Sequence, residues 1–241
     1  MSNVLSDPKT YSQKWMQESN HFEKEDIYKT LTQIIPKGNF IEFGCGVGNG
    51  TYHLATKGNV LALDNNEYLI NEASKKGFNP ENSVKIHKCD FFEITDEDKK
   101  IIKDFSPTVI VGWFIGSNGQ DIFKRTKEES NPYEKGKLYR EKIEDIIISK
   151  DICLESIEYI HLANRGFSNA DASEEELFLS TKQDYDTHVF KKIGFEVVDV
   201  KSINWDMTDS EFQYSAAHNP NFKAGKIIPT VTSILAKRTK S

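Results

Sequence analysis

The sequence predicts an α/β fold built on a mostly parallel sheet. Short apolar or β-branched runs alternate along the chain with longer amphipathic stretches, a pattern typical of parallel strands covered by helices on both faces. A dense glycine loop follows the first apolar run, as in sheets whose backbone lies close to a ligand. At 241 residues the chain is long enough for one large domain with a substantial core.

Seven runs have the length and composition of strands. They cover residues 39–43, 60–64, 84–89, 108–113, 158–163, 195–203 and 230–237. A polar, aromatic segment, residues 204–229, joins the last two runs and has no clear amphipathic helix pattern. Such a connection permits an antiparallel pairing at one edge of the sheet.

Helical patterns lie between most of these strands, at residues 49–57, 67–76, 137–156 and 181–192. Two of them stop at Gly77 and Gly194, and glycine is a natural end for a helix. Residues 1–37 predict two short helices that form a lid over the crevice at the carboxyl ends of the strands. Simple packing against the flank of the sheet is the alternative. Residues 38–241 form the globular domain.

Composition and charge limit the partners. Apolar residues make up 37% and charged residues 28% of the chain, which suits a soluble globular protein. A net charge of −6 argues against nucleic acid as an obligate partner, because phosphate binding needs concentrated Lys and Arg.

No run of apolar residues approaches the length of a membrane span. We expect a cytoplasmic monomer or homodimer with a small-molecule substrate, no nucleic acid and no membrane partner. The three isolated cysteines predict reduced thiols.

The glycine loop, EFGCGVGNG, runs from Glu42 to Gly50 between a strand and a helix. The amino end of that helix offers free N–H groups to an anion. The loop does not match the dinucleotide pattern G-x-G-x-x-G, because its sixth position is Asn49 when counted from Gly44 and Thr51 when counted from Gly46. A dehydrogenase is therefore disfavoured.

Acidic residues end three successive strands and favour a different cofactor. Glu42 would repel a pyrophosphate but would favour a ligand with a cationic end, such as the sulfonium and ammonium of S-adenosylmethionine. Asp64 lies about 22 residues further on, near the spacing at which an acid holds ribose hydroxyls. Asp90 can accept from the adenine amino group, with Phe91 against the ring.

With these motifs the sequence resembles the class I S-adenosylmethionine-dependent methyltransferases. EFGCGVGNG is similar to their first motif, LDNN at 63–66 to the second, CDFF at 89–92 to the third, and TVIVGWF at 108–114 occupies the fourth. The resemblance implies a Rossmann-like, seven-stranded sheet with an antiparallel last strand, and S-adenosylmethionine as the cofactor. The implied cofactor-binding residues are Glu42, Gly44, Cys45, Gly46, Gly48, Asp64, Asn65, Asp90, Phe91 and Gly112.

The fourth motif limits the chemistry of the acceptor. It lacks the Asn-Pro-Pro-Tyr-like signature of nucleic-acid amino methyltransferases, and the chain has no Pro-Cys pair of the cytosine C5 type. Gly112 and Trp113 stand where metal-dependent members carry carboxylates, so we expect no metal. Aromatic residues predicted to contact the substrate are Tyr11, Trp15, Trp113, Phe114, Trp205 and Tyr214. His21 and Trp113 are the candidates for a catalytic role.

These features predict a methyltransferase that acts on a small molecule, at nitrogen or oxygen, by in-line transfer. Such a transfer mainly needs an aligned nucleophile and an excluded solvent, so no obvious base is required. Two alternatives stay open. One is a protein or peptide methyltransferase with a groove at residues 204–229. The other is a protein that binds S-adenosylmethionine without transferring its methyl group.

Overall fold

A computed structural model describes residues 6–132, 134–210, 212 and 226–239. One seven-stranded sheet has the order β3-β2-β1-β4-β5-β7-β6. The strands are β1 (Phe40–Phe43), β2 (Val60–Asp64), β3 (Val84–Lys88), β4 (Val109–Trp113), β5 (Tyr159–Asn169), β6 (Phe195–Asn204) and β7 (Ile227–Arg238). The helices are α1 (Pro8–Lys24), α2 (Ile27–Ile34), α3 (Asn49–Leu54), α4 (Glu67–Ala73), α5 (Asp96–Phe105), α6 (Gly119–Arg125), α7 (Lys135–Ile147) and α8 (Glu174–Tyr185).

The pairing of the strands confirms the predicted fold class. Strands β1 to β5 are parallel, and β7 runs antiparallel to both β5 and β6. The two edge strands are β3 and β6, so the antiparallel strand β7 lies one position inside the β6 edge. Every predicted strand is present. The structure lengthens β5 to Asn169, because its last residues pair with the start of β7 at Ile227.

All four helices predicted between the strands differ from their predicted bounds: α3 and α4 end three residues early, at Leu54 and Ala73, and two others differ more. The helix predicted for 137–156 ends at Ile147, and Leu154, whose spacing favoured a longer helix, packs against the core from the turns that follow. The helix predicted for 181–192 begins earlier, because Ser173 and Glu176 form a capping box ahead of a polar first turn. A π-helical turn and a 3₁₀ turn continue it to the predicted stop at Gly194, where φ is 75°.

The core has one layer on each side of the sheet. Residues of α1 and α2 pack on one face around Phe22 and Phe40, and residues of α5, α7 and the turn after α8 pack on the other around Phe43 and Phe190. Strands β1, β2 and β4 are buried along their whole length. In the described parts of the chain, no helix has both the length and the apolar character to cross a membrane.

Candidate functional site

The glycine loop follows β1 at the carboxyl edge of the sheet. Gly44, Gly46 and Gly48 have φ values of 78°, 55° and 80°, a region that side chains other than glycine rarely enter. The amides of Gly44 and Cys45 donate to the carbonyl of Leu63, which fixes the loop beside the end of β2. A Cβ placed on Gly44 would meet nothing within 4 Å. Bare backbone therefore faces open space at this position.

Asp64 ends β2 next to the loop. One carboxyl oxygen accepts from the amide of Gly46 and the other from the amide of Asn66, each at 2.9 Å. Burial raises the pKa of Asp64 to about 6, although these amide hydrogen bonds act to lower it. Each oxygen keeps a lone pair for a further donor, so the carboxyl group can still bind a hydroxyl.

One cavity brings together five of the predicted cofactor-binding residues, namely Gly44, Gly46, Asp64, Asn65 and Phe91. Three residues predicted to contact the substrate, Tyr11, Trp15 and Phe114, line the same cavity. Its volume is about 30 Å³, against roughly 300–1,000 Å³ for typical small-molecule sites. The cavity is small because rings of the N-terminal helix fill it.

Helix α1 lies across the carboxyl edge and covers the cavity. The indole Nε1 of Trp15 would be 2.3 Å from a Cβ on Gly46, so this ring rests on the bare glycine backbone. The side-chain amide of Asn66 donates to the carbonyl of Pro8 at 3.1 Å, and that of Asn49 donates to the carbonyl of Ser19 at 3.1 Å. The helix is thus held at Pro8, Trp15 and Ser19 by segments that line the cavity or belong to the glycine loop.

A buried ion pair fixes the underside of α1. The guanidinium of Arg165, in β5, lies 3.2 Å from the carboxylate of Glu18 and 5.1 Å from the ring centre of Trp15. Glu18 is 1% exposed. Sequence reasoning did not find this pair, because 147 residues separate its members and neither stands in a motif.

Glu42 does not line the cavity. Its side chain is buried beneath the loop and accepts a hydrogen bond from the Thr51 hydroxyl at 2.6 Å. Burial raises the pKa of Glu42 to about 7, the Thr51 hydrogen bond acts to lower it, and the negative charge of Asp64 raises it further. Glu42 therefore supports the loop from behind, and its predicted influence on a cationic ligand would be through space.

Asp90 also lies outside the cavity, although its neighbour Phe91 lines it. Its carboxylate accepts from the Arg125 guanidinium at 2.6 Å, and its other oxygen accepts from the amide of Phe92 at 3.1 Å. Arg125 also binds Glu93 at 2.7 Å. Arg125 is a further residue that sequence reasoning missed, since α6 is separated from β3 along the chain.

Three other predicted cofactor-binding residues, Cys45, Gly48 and Gly112, are absent from the cavity lining. The Cys45 side chain is buried. A Cβ on Gly48 would lie 3.1 Å from the Cβ of Ala73, and one on Gly112 would lie 2.8 Å from a methyl group of Ile115. These two glycines allow close packing of the loop and of β4. Their predicted contact with a cofactor stays a prediction.

Trp113 is placed in the core and not at the cavity. Its indole N–H donates to Nδ1 of His161 at 2.7 Å, and Nε2 of His161 lies 2.7 Å from the Ser233 hydroxyl. Because Nδ1 accepts, the neutral ring carries its proton on Nε2 and donates it to Ser233. Burial lowers the pKa of His161 to about 3, which keeps it neutral. This row of hydrogen bonds joins β4, β5 and β7 and holds the Trp113 ring away from the cavity. The predicted catalytic or substrate contact of Trp113 therefore has no geometric support in this conformation.

Phe114 follows Trp113 and does line the cavity. Its φ is 56°, an uncommon value for an aromatic residue. Its amide donates to the carbonyl of Ala163 at 2.8 Å, and its ring lies 4.8 Å from that of Phe22 in α1. Residues with such uncommon backbone conformations cluster at functional sites, and they persist only where the surrounding structure holds them in place.

The remaining candidates are distributed around the outer side of α1. Nε2 of His21 donates to the carbonyl of Asp206 at 2.6 Å, and neither His21 nor Trp205 lines the cavity. Trp205 is buried, with its ring 5.0 Å from that of Phe22. Tyr214 lies outside the described residues.

No family model matches the sequence, and a search of curated proteins gives no match. Solved structures do match. A putative S-adenosylmethionine-dependent methyltransferase from Listeria monocytogenes is 14% identical with a TM-score of 0.51, over 88% of this chain and 98% of that one.

The fold is that of the class I S-adenosylmethionine-dependent methyltransferases.

Two other similar structures have TM-scores below 0.5. Magnesium protoporphyrin IX methyltransferase from Synechocystis, with bound SAM, is 13% identical with a TM-score of 0.46, over 95% of this chain and 84% of that one. TYW2 from M. jannaschii, in complex with AdoMet, is 12% identical with a TM-score of 0.46, over 88% and 75%. The predicted fold is confirmed, and the residues of the cavity carry the functional argument, because one fold hosts many activities.

Proposed function

We propose that this protein is an S-adenosylmethionine-dependent methyltransferase that acts on a small-molecule acceptor at nitrogen or oxygen. The observation that carries the proposal is the single cavity in which Gly44, Asp64, Asn65 and Phe91 meet at the carboxyl edge of the sheet. Ligands of open α/β sheets bind at this edge. When bound, the cofactor supplies a methyl group on a sulfonium, a good leaving group.

The residues present fit such a cofactor. The bare backbone of Gly44 leaves room for a ligand chain, the Asp64 carboxyl group has free lone pairs for ribose hydroxyls, and Phe91 offers a ring against a base. The negative charge of the Asp64 and Glu42 carboxyl groups, when they are ionised, disfavours a pyrophosphate and favours a cationic sulfonium. Asp90, held by Arg125, stands one residue from the cavity as the proposed acceptor for the adenine amino group.

Helix α1 acts as a lid in this proposal. With Trp15 on Gly46 the cavity holds about 30 Å³, so the cofactor enters only after α1 or its rings move. Closure over the bound cofactor would exclude water from the reacting atoms. A lid that closes this fully favours a compact acceptor over a folded protein, which is the reason to prefer a small molecule to a peptide.

The first experiment uses a matched pair of glycine variants. Gly44→Ala places a methyl group in the open space of the cavity at φ 78°, and Gly194→Ala introduces the same backbone strain at φ 75° outside the cavity. Each substitution costs about 1–2 kcal/mol of folding stability. Calorimetry with S-adenosylhomocysteine should give wild-type affinity for Gly194→Ala and at least tenfold weaker binding for Gly44→Ala.

The second experiment separates an enzyme from a binding protein. The protein is incubated with S-adenosylmethionine labelled on the methyl group and with a small-molecule fraction of a cell extract. Transfer of label to a small molecule supports the proposal, and transfer only to the protein fraction of the same extract favours the peptide alternative. Tight binding of S-adenosylhomocysteine with no transfer to either fraction would favour the non-catalytic protein. In the first experiment, equal affinity of Gly44→Ala and Gly194→Ala for S-adenosylhomocysteine would exclude the glycine loop from the cofactor site.

A further inference from the structure

A second cavity, of about 710 Å³, lies between α7, the middle of β5, and the end of α8 with the turn that follows it. This volume is within the range of roughly 300–1,000 Å³ that small-molecule sites occupy. Its lining is polar and differs from that of the cavity beneath α1. None of the residues predicted from the sequence to bind a cofactor or substrate lines it.

The two cavities are neighbours. Helix α7 forms a wall of both, because Ile143 faces the first and Glu144, the next residue, faces the second. Asn164 lines the second cavity and directly follows Ala163, whose carbonyl accepts from the amide of Phe114. Phe114 lines the first cavity. A molecule in the second cavity would therefore lie beside the proposed cofactor site.

The inner part of the second cavity carries one carboxyl group among the described lining residues. Glu144, Asn164 and Tyr185 are half-buried there, and the amide of Asn164 donates to the Tyr185 hydroxyl at 3.1 Å. Burial raises the pKa of Glu144 to about 7, and the charge of Arg140 acts to lower it. A cation is attracted more strongly to a half-buried carboxylate than to an exposed one, since water and salt screen the half-buried pair less.

The exposed rim is balanced in charge. Besides His188 it carries Lys137, Arg140, Lys192, Glu141, Asp145 and Asp184. Nζ of Lys192 lies 3.3 Å from Asp145, and Nζ of Lys137 lies 3.8 Å from Glu141. Because the charges of the rim cancel, Glu144 decides which ligand charge the cavity prefers.

The backbone beside the cavity is also unusual. Residues Asp186–Phe190 form a π-helical turn, which places His188 and Val189 at the cavity wall. Single π-helical turns are rare and occur frequently at functional sites. The cavity, the half-buried carboxyl group of Glu144 and the π-helical turn therefore coincide at one place next to the proposed cofactor site.

We propose that this second cavity binds the methyl acceptor and that the acceptor is a small amine whose ammonium group contacts Glu144. The side-chain oxygens of Asn164 and Tyr185 lie next to Glu144 and can accept further hydrogen bonds from the ammonium, so Glu144 is a positioning residue. The assignment as acceptor site rests on the proposed methyltransferase function. It names the substrate class as a small diamine, with one protonated amino group on Glu144. The other amino group, in its uncharged form, would accept the methyl group: its lone pair forms the new N–C bond, the C–S bond of the sulfonium breaks with its electrons staying on sulfur, and the new ammonium releases a proton to water.

Three probes of equal chain length test the charge preference. Putrescine carries ammonium groups, 1,4-butanediol is its neutral counterpart and succinate its anionic one. Binding is measured by NMR on the whole protein saturated with S-adenosylhomocysteine, with the side-chain amide signal of Asn164 as the reporter. Putrescine should shift this signal at concentrations at which the other two probes do not.

Two variants locate the preference at Glu144. Glu144→Gln should weaken putrescine binding by about 10–150-fold, the loss of one charge-assisted hydrogen bond. Glu97→Gln removes an equal charge from an exposed position of α5 outside the cavity and should bind putrescine as wild type does. Both variants should bind S-adenosylhomocysteine with wild-type affinity.

The outcomes separate this inference from the function on which it rests. Equal putrescine affinity in Glu144→Gln and wild type, no shift at Asn164, or a preference for succinate would each overturn the amine site while S-adenosylhomocysteine binding stands. A protein that binds putrescine at Asn164 but does not bind S-adenosylhomocysteine would overturn the methyltransferase and, with it, the role as an acceptor site.

Discussion

Substitution of Glu42 by glutamine should stabilise the free protein at alkaline pH and leave it unchanged in acid. Glu42 is 3% exposed, and its pKa is raised from 4.5 to about 7, chiefly by burial. In an unfolded chain the same carboxyl group titrates near its ordinary value. Between pH 4.5 and 7 the folded state therefore binds more protons than the unfolded state, and its stability falls as the pH rises.

The size of the effect follows from the two pKa values. The difference between 4.5 and about 7, at about 1.4 kcal/mol for each pKa unit, gives about 3 kcal/mol of lost stability above pH 7. This figure is net of the Thr51 hydrogen bond, which acts to lower the same pKa. Glutamine stays neutral at every pH, and its side-chain oxygen can still accept from Thr51.

Urea denaturation of wild type and Glu42→Gln at pH 4.5, 6 and 8 measures the effect. The variant should match wild type at pH 4.5 and exceed it by about 3 kcal/mol at pH 8. Asp98→Asn is the control of opposite sign. Although burial alone would raise the pKa of Asp98, hydrogen bonds from Thr95 and His87 lower it. That variant should therefore lose stability at pH 8. A constant difference between Glu42→Gln and wild type across the three pH values would refute the reasoning.

Three further predictions follow from the same site. Asp64→Asn should weaken S-adenosylhomocysteine binding in calorimetry by about 1.5–3 kcal/mol, one charge-assisted bond, whereas exposed Asp171→Asn should not. Burial lowers the pKa of His161 to about 3, so below pH 6.5 the histidine takes up a proton only when the protein unfolds. Relative to His161→Gln, the free energy of unfolding of wild type should therefore fall by about 1.4 kcal/mol for each pH unit below 6.5. An equal dependence of the two unfolding free energies on pH, measured by urea denaturation, would contradict this. Trp15→Ala should speed S-adenosylhomocysteine association in stopped-flow fluorescence by opening the cavity, with exposed Met16→Ala as the control and an unchanged rate as the contrary result.

Much of the fold is predictable because its signals are local. All seven strands are apolar or β-branched runs, and turn or cap residues such as Gly194 mark the ends of helices. Helix bounds were less predictable. Leu154 stands seven residues after Ile147, a helical spacing, although the chain has already left the helix, so the pattern reports burial and not helix.

The site could be predicted only in part. Gly44, Asp64 and Phe91 meet in one cavity because parallel strands bring their carboxyl ends to one edge. The sequence pattern gave no sign of Arg165, Arg125 or Glu144, which come from β5, α6 and α7. Their partners are distant along the chain, and no spacing rule connects them.

From the sequence alone follow the seven strands in chain order, most of the helices between them, the glycine loop after the first strand and the acids at three strand ends; the bounds of helices α5 and α6 were not predicted. The predicted features depend on side-chain period and backbone freedom, which are properties of neighbouring residues. The tertiary structure decided where the functional groups point. Glu42 turns towards Thr51, Asp90 towards Arg125 and Trp113 towards His161, because each side chain finds its hydrogen-bond partner in another element. Only the packing of those elements reveals which side chains reach a ligand.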